Sequence, residues 1–304
     1  VEGIMNLFKM PRIGLALGGG SAKGLAHIGV IKVFEEEGIP IDVIAGTSIG
    51  SIVGGLYALN PDPLYLENKA RVLINSDAFK DLRLDKFNRN QSGGWFGRIK
   101  SRLKDGLTVA ESLMKPSIVA KEPTERVFKE LFGDKEFSDT RIPFACISLD
   151  LLSGNDVIFT TGPLWKATMA SSAIPGIFPK VEFENYVLVD GGVTANVPIQ
   201  AARALGADIV IGVILGRQLS PPGDLSSALE VILRSDELAK FKLFRLTLEE
   251  ADFIIDIELP DIHWTEFGRI DELIQRGEAA ARSALEGVRK ITKGRGFFSR
   301  LFRR

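Results

Sequence analysis

Cysteine and histidine are almost missing from this chain. Its 304 residues include one cysteine, Cys146, and two histidines, His27 and His263. A single cysteine excludes an intrachain disulfide framework and a cysteine-rich zinc site. Two histidines exclude a His-rich metal cluster and restrict any Ser–His–Asp triad to a choice between them. No run approaches the ~18–20 uninterrupted apolar residues of a membrane-spanning helix. The first residues, VEGIMNLFKMPRIG, carry no long apolar stretch or small-residue cleavage site, so no secretory signal is expected and cytoplasmic residence is the default. Excess charge is absent too: 38 Lys and Arg stand against 39 Asp and Glu, which argues against nucleic acid as a partner. The remainder is an ordinary globular composition, 45% apolar and 25% charged, enough to exclude general disorder and to build a sizeable core.

Periodicity gives the organisation. Ile13–Leu17 reads as a short buried strand running into glycines, and Leu25–Phe34 has apolar residues at helical spacing, stopped by Gly38 and Pro40. Ile41–Ala45 is a second strand, and Ser51–Leu59 a second helix ended by Asn60-Pro61. Strand, helix, strand, helix predicts an α/β fold with a parallel sheet and crossover helices. Further strands are expected at 142–150, 157–160, 187–189 and 209–215, and helices at 163–172 and 198–205, with the alternation continuing to about residue 215. Residues 79–108, polar and containing Gly93-Gly94-Trp95-Phe96-Gly97, read either as a cover over a site or as a surface insertion. A Pro/Gly/Ser-rich connector at 216–226 leads to a mostly helical C-terminal part. The expected division is an extension at 1–12, a core at 13–215, a helical extension at 216–288 and a basic aromatic tail at 289–304.

The sharpest chemical signal is Gly46-Thr47-Ser48-Ile49-Gly50, between an apolar strand and a helix. A G-x-S-x-G elbow holds its serine on a strained turn above the sheet, and flanking glycines avoid collision with the neighbouring elements. Ser48 is therefore the candidate nucleophile. The second signal, Gly18-Gly19-Gly20-Ser21-Ala22-Lys23-Gly24, also joins strand to helix and exposes amides at a helix N-terminus, where an anion is favoured. The phosphate-loop pattern fails because Lys23 precedes Gly24, and the dinucleotide pattern would need glycine where Lys23 stands. An oxyanion hole is the better functional reading; tight strand–helix packing is the plain structural one. Asp190-Gly191-Gly192 follows the apolar run Val187-Leu188-Val189, which places a carboxylate at a strand end. Between a triad using His263 and a Ser48–Asp190 pair without histidine, the pair is favoured; His27 is expected to pack or bond locally. An aspartate near its ordinary pKa of ~3.9 is a weak base, so burial has to make it more basic.

With these motifs in this order the chain resembles the patatin-like phospholipases, in particular their compact bacterial members. The resemblance rests on the glycine loop 18–24, Gly46–Gly50, the segment Ala170-Ser171-Ser172-Ala173-Ile174-Pro175-Gly176-Ile177-Phe178-Pro179, and Asp190-Gly191-Gly192, spanning roughly residues 13–215. It implies a three-layer α/β/α fold with a mostly parallel sheet, and hydrolysis of lipid acyl esters by a Ser–Asp dyad with no metal or cofactor. Carried over by position, Ser48 is the nucleophile and Asp190 its base. Gly19, Gly20 and Ser21 supply oxyanion-hole amides, while Gly18, Lys23, Gly24, Gly46, Gly50, Gly191 and Gly192 complete the motifs. The chain departs from the family loop of three glycines, one variable residue, Arg or Lys, and glycine: Ser21 falls at the third glycine position, and the cation is Lys rather than the commoner Arg, which keeps charge but loses bidentate geometry. Ser171, Ser172 and Asp150 are expected to be structural.

The implied partner is a lipid ester, a phospholipid or lysophospholipid. An acyltransferase using the same acyl-enzyme and a non-catalytic lipid-binding module are the alternatives. Gly287–Arg304 contains seven basic residues (Arg289, Lys290, Lys293, Arg295, Arg300, Arg303 and Arg304) and no acidic one, leaving 31 basic against 39 acidic elsewhere. Phe297, Phe298, Leu301 and Phe302 share one side of a helix, a pattern suited to an anionic membrane surface contacted through residues 296–304, at the inner face of a membrane. The competing expectations are an aromatic cap on the protein's own core or a disordered tail.

Overall fold

The computed structural model describes residues 11–84, 117–216, 219, 221 and 225–298. Its strands are β1 (Ile13–Leu17), β2 (Val43–Gly46), β3 (Phe144–Asp150), β4 (Asp156–Phe159), β5 (Val181–Phe183), β6 (Tyr186–Asp190), β7 (Ile209–Ile214) and β8 (Phe253–Asp256). They form one sheet in the order β5-β6-β3-β2-β1-β7-β8, with β4 paired to β3. β8, β7, β1, β2 and β3 run parallel to one another, whereas β4 and β6 are antiparallel to β3. The helices are α1 (Ala26–Glu36), α2 (Ile49–Leu59), α3 (Pro63–Asn75), α4 (Asp77–Asp81), α5 (Lys121–Phe132), α6 (Leu164–Ser171), α7 (Ile199–Ala204), α8 (Ala228–Leu248) and α9 (Ile270–Phe298).

Strand alternation sorts the core into two layers. Leu15, Leu17, Ile44, Phe144, Cys146, Ile211 and Val213 face one side, packed with α1, α2, α5, α6 and α9. Ala16, Val43, Ala45, Ala145 and Val210 face the other, where α7 and the Phe244 face of α8 cover them. Helices on both faces of one sheet give the expected three-layer α/β/α fold.

The order of strands around β3 positions the site. Cys146 pairs both Gly46 and Phe159, and Ser148 pairs both Asp190 and Val157. β2 and β6 therefore share the edge of β3 opposite β4. They approach along it from opposite directions, β2 ending at Gly46 and β6 at Asp190. The C-terminal ends of two strands far apart in sequence thus face each other across two residues of β3.

Three differences from the sequence reading have physical causes. The alternation does not stop at 215: β8 extends the sheet parallel to β7, and its four residues after a long helix are too short to show a period. β5, three residues long, escapes for the same reason. The boundary expected at 288 falls inside the single helix α9, whose Arg282 and Arg289 pair with Glu36 and Glu37 at the C-terminal end of α1. Arg289 thus belongs to the folded body rather than to a tail. Of the expected cover at 79–108, residues 79–81 end α4 and 85–108 lie outside the described residues, as do the side chains of 296–304. Among the described residues no helix is long and apolar enough to cross a membrane.

Candidate active site

β2 ends at Gly46, Thr47 turns, and α2 begins at Ile49, so Ser48 occupies the corner. Its φ of +54° and ψ of −125° lie where L-residues are rare, a conformation costing about 1–3 kcal/mol that the surroundings must hold. They hold it on every side. Thr47 N–H donates to Leu17 O at 3.0 Å, and the Thr47 hydroxyl to Ala195 O at 2.9 Å. Ser48 N–H donates to Ser171 Oγ at 3.0 Å, and Ser48 O accepts from Ser51 Oγ at 2.6 Å. The flanking glycines are required by close approach: a Cβ on Gly46 would stand 2.3 Å from Gly50 O, and one on Gly50 2.1 Å from Leu17 O.

Asp190, 5% exposed, faces this corner from the end of β6. The Ser48 side chain lies near enough to the carboxylate to pull its pKa down, and Gly192 N–H donates to Oδ1 at 2.6 Å. Burial pushes the carboxyl pKa up to about 6, against the downward pull of the Ser48 side chain and the Gly192 N–H. Gly191 packs against the Ile147 carbonyl, which closes the turn after the carboxylate.

The glycine loop after β1 lies beside Ser48, with Gly19 close to Ser48 Cβ. Gly18 N–H is committed to Val213 O and Gly19 N–H to Asn196 O, both at 3.0 Å, and Ala22 N–H to Trp264 O. Gly19 is therefore removed from the expected donors, because its amide already has an acceptor in the fold. Gly20 and Ser21 N–H, at the start of the 3₁₀ turn Ser21–Leu25, have no acceptor among the described residues. Ser21 adopts φ +53°, the left-handed region a glycine would enter without strain. Gly24 packs on the Ile49 side chain. His27 is fully buried and its Nε2 bonds Gly18 O at 2.8 Å; a carbonyl only accepts, so that nitrogen carries the proton. Burial pushes its pKa down to about 4, which keeps it neutral. His263 bonds Thr265 and Glu266 in its own turn and lines neither cavity at Ser48.

Two cavities meet at Ser21, Ser48 and Ile174. One, about 100 Å³, is apolar and runs inward past Leu25, Ile49, Leu66, Leu73 and Phe128. The other, about 420 Å³, opens outward and carries Asp190, Asn196, Lys23, Glu237 and Lys240. Lys23 has no carboxylate within ion-pair distance among the described residues; burial lowers its pKa and the charge of Asp261 raises it, burial being the larger. The sequence reading missed Asn196, which grips Gly19 through both its carbonyl and its side-chain amide, and missed the apolar cavity. Asn196 carries no motif signal, and the cavity gathers single residues from many elements.

The site thus brings together a strained serine on a strand–helix corner, a buried aspartate and two loop amides without an acceptor among the described residues, on an α/β scaffold. Residues 15–203 match the family model of the patatin-like phospholipases, and the chain belongs to that family. It is 35% identical over 231 residues to a patatin-like phospholipase domain-containing protein of Caenorhabditis elegans, covering 73% of this chain and 15% of that protein. It is also 35% identical over 206 residues to the lysophospholipase NTE1 of Saccharomyces cerevisiae, covering 67% of this chain and 11% of that protein. The chain thus spans under a sixth of the length of these relatives. Among solved structures, VipD from Legionella pneumophila aligns with a TM-score of 0.45 and 13% identity, over 91% of this chain and 67% of that one.

Proposed function

We propose that the chain is a serine acyl hydrolase of lipid carboxylic esters, acting on a phospholipid or lysophospholipid through Ser48 and Asp190. The observation that carries the reading is the placement of the strained Ser48 at the junction of an apolar cavity and a polar cleft, with the buried Asp190 lining that cleft beside it. The acyl chain occupies the apolar side. The head group lies in the polar cleft, where Lys23, with no carboxylate within ion-pair distance among the described residues, suits a phosphate.

Ser48 Oγ attacks the ester carbonyl carbon while its proton passes to Asp190. The carbonyl π pair moves onto oxygen, and the Gly20 and Ser21 amides stabilise that oxyanion; one such donor is worth roughly 3–4 kcal/mol. Collapse breaks the ester C–O bond, and the leaving alkoxide takes the proton from Asp190. Water then attacks the acyl-Ser48 carbonyl, giving its proton to Asp190, and the second collapse frees the fatty acid as Ser48 recovers that proton. A pKa near 6 suits this work, since the carboxylate is ionised at neutral pH yet more basic than an exposed aspartate. The test is turnover of lysophospholipid, phospholipid, acylglycerol and short-chain esters, with fatty acid identified as product. Hydrolysis lost in Ser48→Ala and in Asp190→Asn is expected; unchanged turnover in either folded variant refutes the pair.

We further propose that residues 296–304 meet an anionic lipid surface, on the strength of their aromatic and basic sequence pattern. Deleting them is expected to weaken salt-sensitive binding to anionic vesicles and to spare hydrolysis of a soluble ester. Equal vesicle binding by the deletion excludes the contact.

A further inference from the structure

The end of α6 touches both members of the Ser48–Asp190 pair. Ser171, fully buried, accepts the Ser48 N–H on its hydroxyl oxygen at 3.0 Å and donates its own proton to Ile147 O at 2.7 Å. Two residues later, the Ala173 carbonyl accepts the Asp190 N–H at 2.9 Å. Ile147 lies on β3 between Cys146, which pairs Gly46, and Ser148, which pairs Asp190. The Ser171 hydroxyl thus links the nucleophile's amide to the strand that sets the spacing between the pair. The carbonyl side of Ser48 is held by the first turn of its own helix, through Ser51 N–H at 2.8 Å and Ser51 Oγ. Its amide side has Ser171 Oγ as its acceptor among the described residues.

We infer that Ser171 is a positioning residue for catalysis: its hydroxyl holds the strained Ser48 peptide so that Oγ stays on Asp190. The inference rests on the reading of Ser48 as nucleophile and adds a third side chain to that machinery. Without the hydroxyl, Ser48 N–H is left buried and unpaired, and the peptide is free to relax from φ +54°. Rotation there carries Oγ off the carboxylate, and misplacement of a reacting atom by about 1 Å costs on the order of a hundredfold in rate. Substrate binding surfaces are untouched, so the effect belongs in kcat rather than KM.

The experiment uses the full chain, a soluble short-chain ester and a fluorophosphonate that labels the active serine. Ser171→Ala is expected to lower kcat and the Ser48 labelling rate by about tenfold or more, with KM within about twofold. The acid limb of its kcat/KM profile moves upward, because Asp190 loses the nearby Ser48 side chain that lowers its pKa. The charged groups that share the cleft with that carboxyl, Lys23 of the 3₁₀ turn and Glu237 and Lys240 of α8, are unaltered. Ser171→Cys keeps the volume and a weaker acceptor, and falls between. A folded Ser171→Ala chain that labels at the unaltered rate with an unmoved acid limb overturns the inference. If that variant does not fold, the same result in Ser171→Cys does so. An unaltered chain that fails to label at Ser48 overturns the nucleophile itself, which separates the two failures.

Discussion

Asp150 and Asp190 occupy opposite ends of one ladder between β3 and β6, yet their carboxyls are driven in opposite directions. Asp150 accepts from Ser153 Oγ, Ser153 N–H, Val187 N–H and Leu152 N–H. Those donors, the Ser153 hydroxyl foremost, lower its pKa to about 2. Among the described residues the Asp190 carboxylate accepts from Gly192 N–H, with the Ser48 side chain beside it, and burial raises its pKa to about 6. The same residue type on the same pair of strands becomes a turn clamp in one place and the proposed base in the other. The difference is the number of donors set against desolvation.

The strongest test of this contrast removes each carboxylate. Asp190→Asn is expected to lower ester turnover on the order of a thousandfold or more, matching Ser48→Ala, while folded Asp150→Asn keeps turnover close to the unaltered chain. Comparable losses in both would erase the distinction. A second test is the pH profile: kcat/KM should fall about tenfold per unit below pH 6, because the proton-accepting form of Asp190 is lost there. A limb near pH 4 would show that burial does not control the base.

Stability gives the third test, with opposite signs at the two positions. The folded pKa of Asp190, about 6, exceeds its ordinary 3.8, so the folded state binds the extra proton between those values and stability falls as pH rises through them. Asp190→Asn should therefore be more stable than the unaltered chain above pH 6, by about 3 kcal/mol at most, with the gain vanishing near pH 4. The folded pKa of Asp150 is depressed, so its contribution is present above pH 4 and disappears as pH falls toward 2. Asp150→Asn should lower Tm at pH 7 and leave it unchanged at pH 2. Thermal melts across pH 2–8 check both.

The smallest effect concerns the polar cleft. Lys23→Gln is expected to raise KM for a lysophospholipid by about three- to tenfold, the range of an exposed to half-buried charge contact, and to leave KM for an uncharged short ester unaltered. Equal changes on both substrates would place Lys23 in loop structure rather than in head-group recognition.

The parallel half of the site is readable because its groups follow their own strands within a few residues. Gly18–Gly24 directly succeeds β1, and Ser48 directly succeeds β2, so a local glycine pattern reports the turn geometry. Asp190 is legible only as a carboxylate at a strand end. Only the following Gly191-Gly192 separates it locally from Asp150, which ends β3 in a similar apolar run. Gly19 was expected among the oxyanion donors, and its amide is occupied by a carbonyl 177 positions away along the chain at Asn196. Ser171 looked structural because the acceptor role of its hydroxyl depends on a contact with Ser48, 123 residues distant.

Local chemistry, then, was determined by the sequence alone: apolar alternation made the strands, glycines permitted the two strand–helix corners, and Ser48 had to stand on one of them. Tertiary structure decided which carboxylate was buried beside Ser48, which loop amides lacked an acceptor among the described residues, and which hydroxyl held the Ser48 amide. Those properties are sums of desolvation and hydrogen bonds from groups remote in sequence. They exist only once β2 and β6 meet along β3 and α6 closes over both.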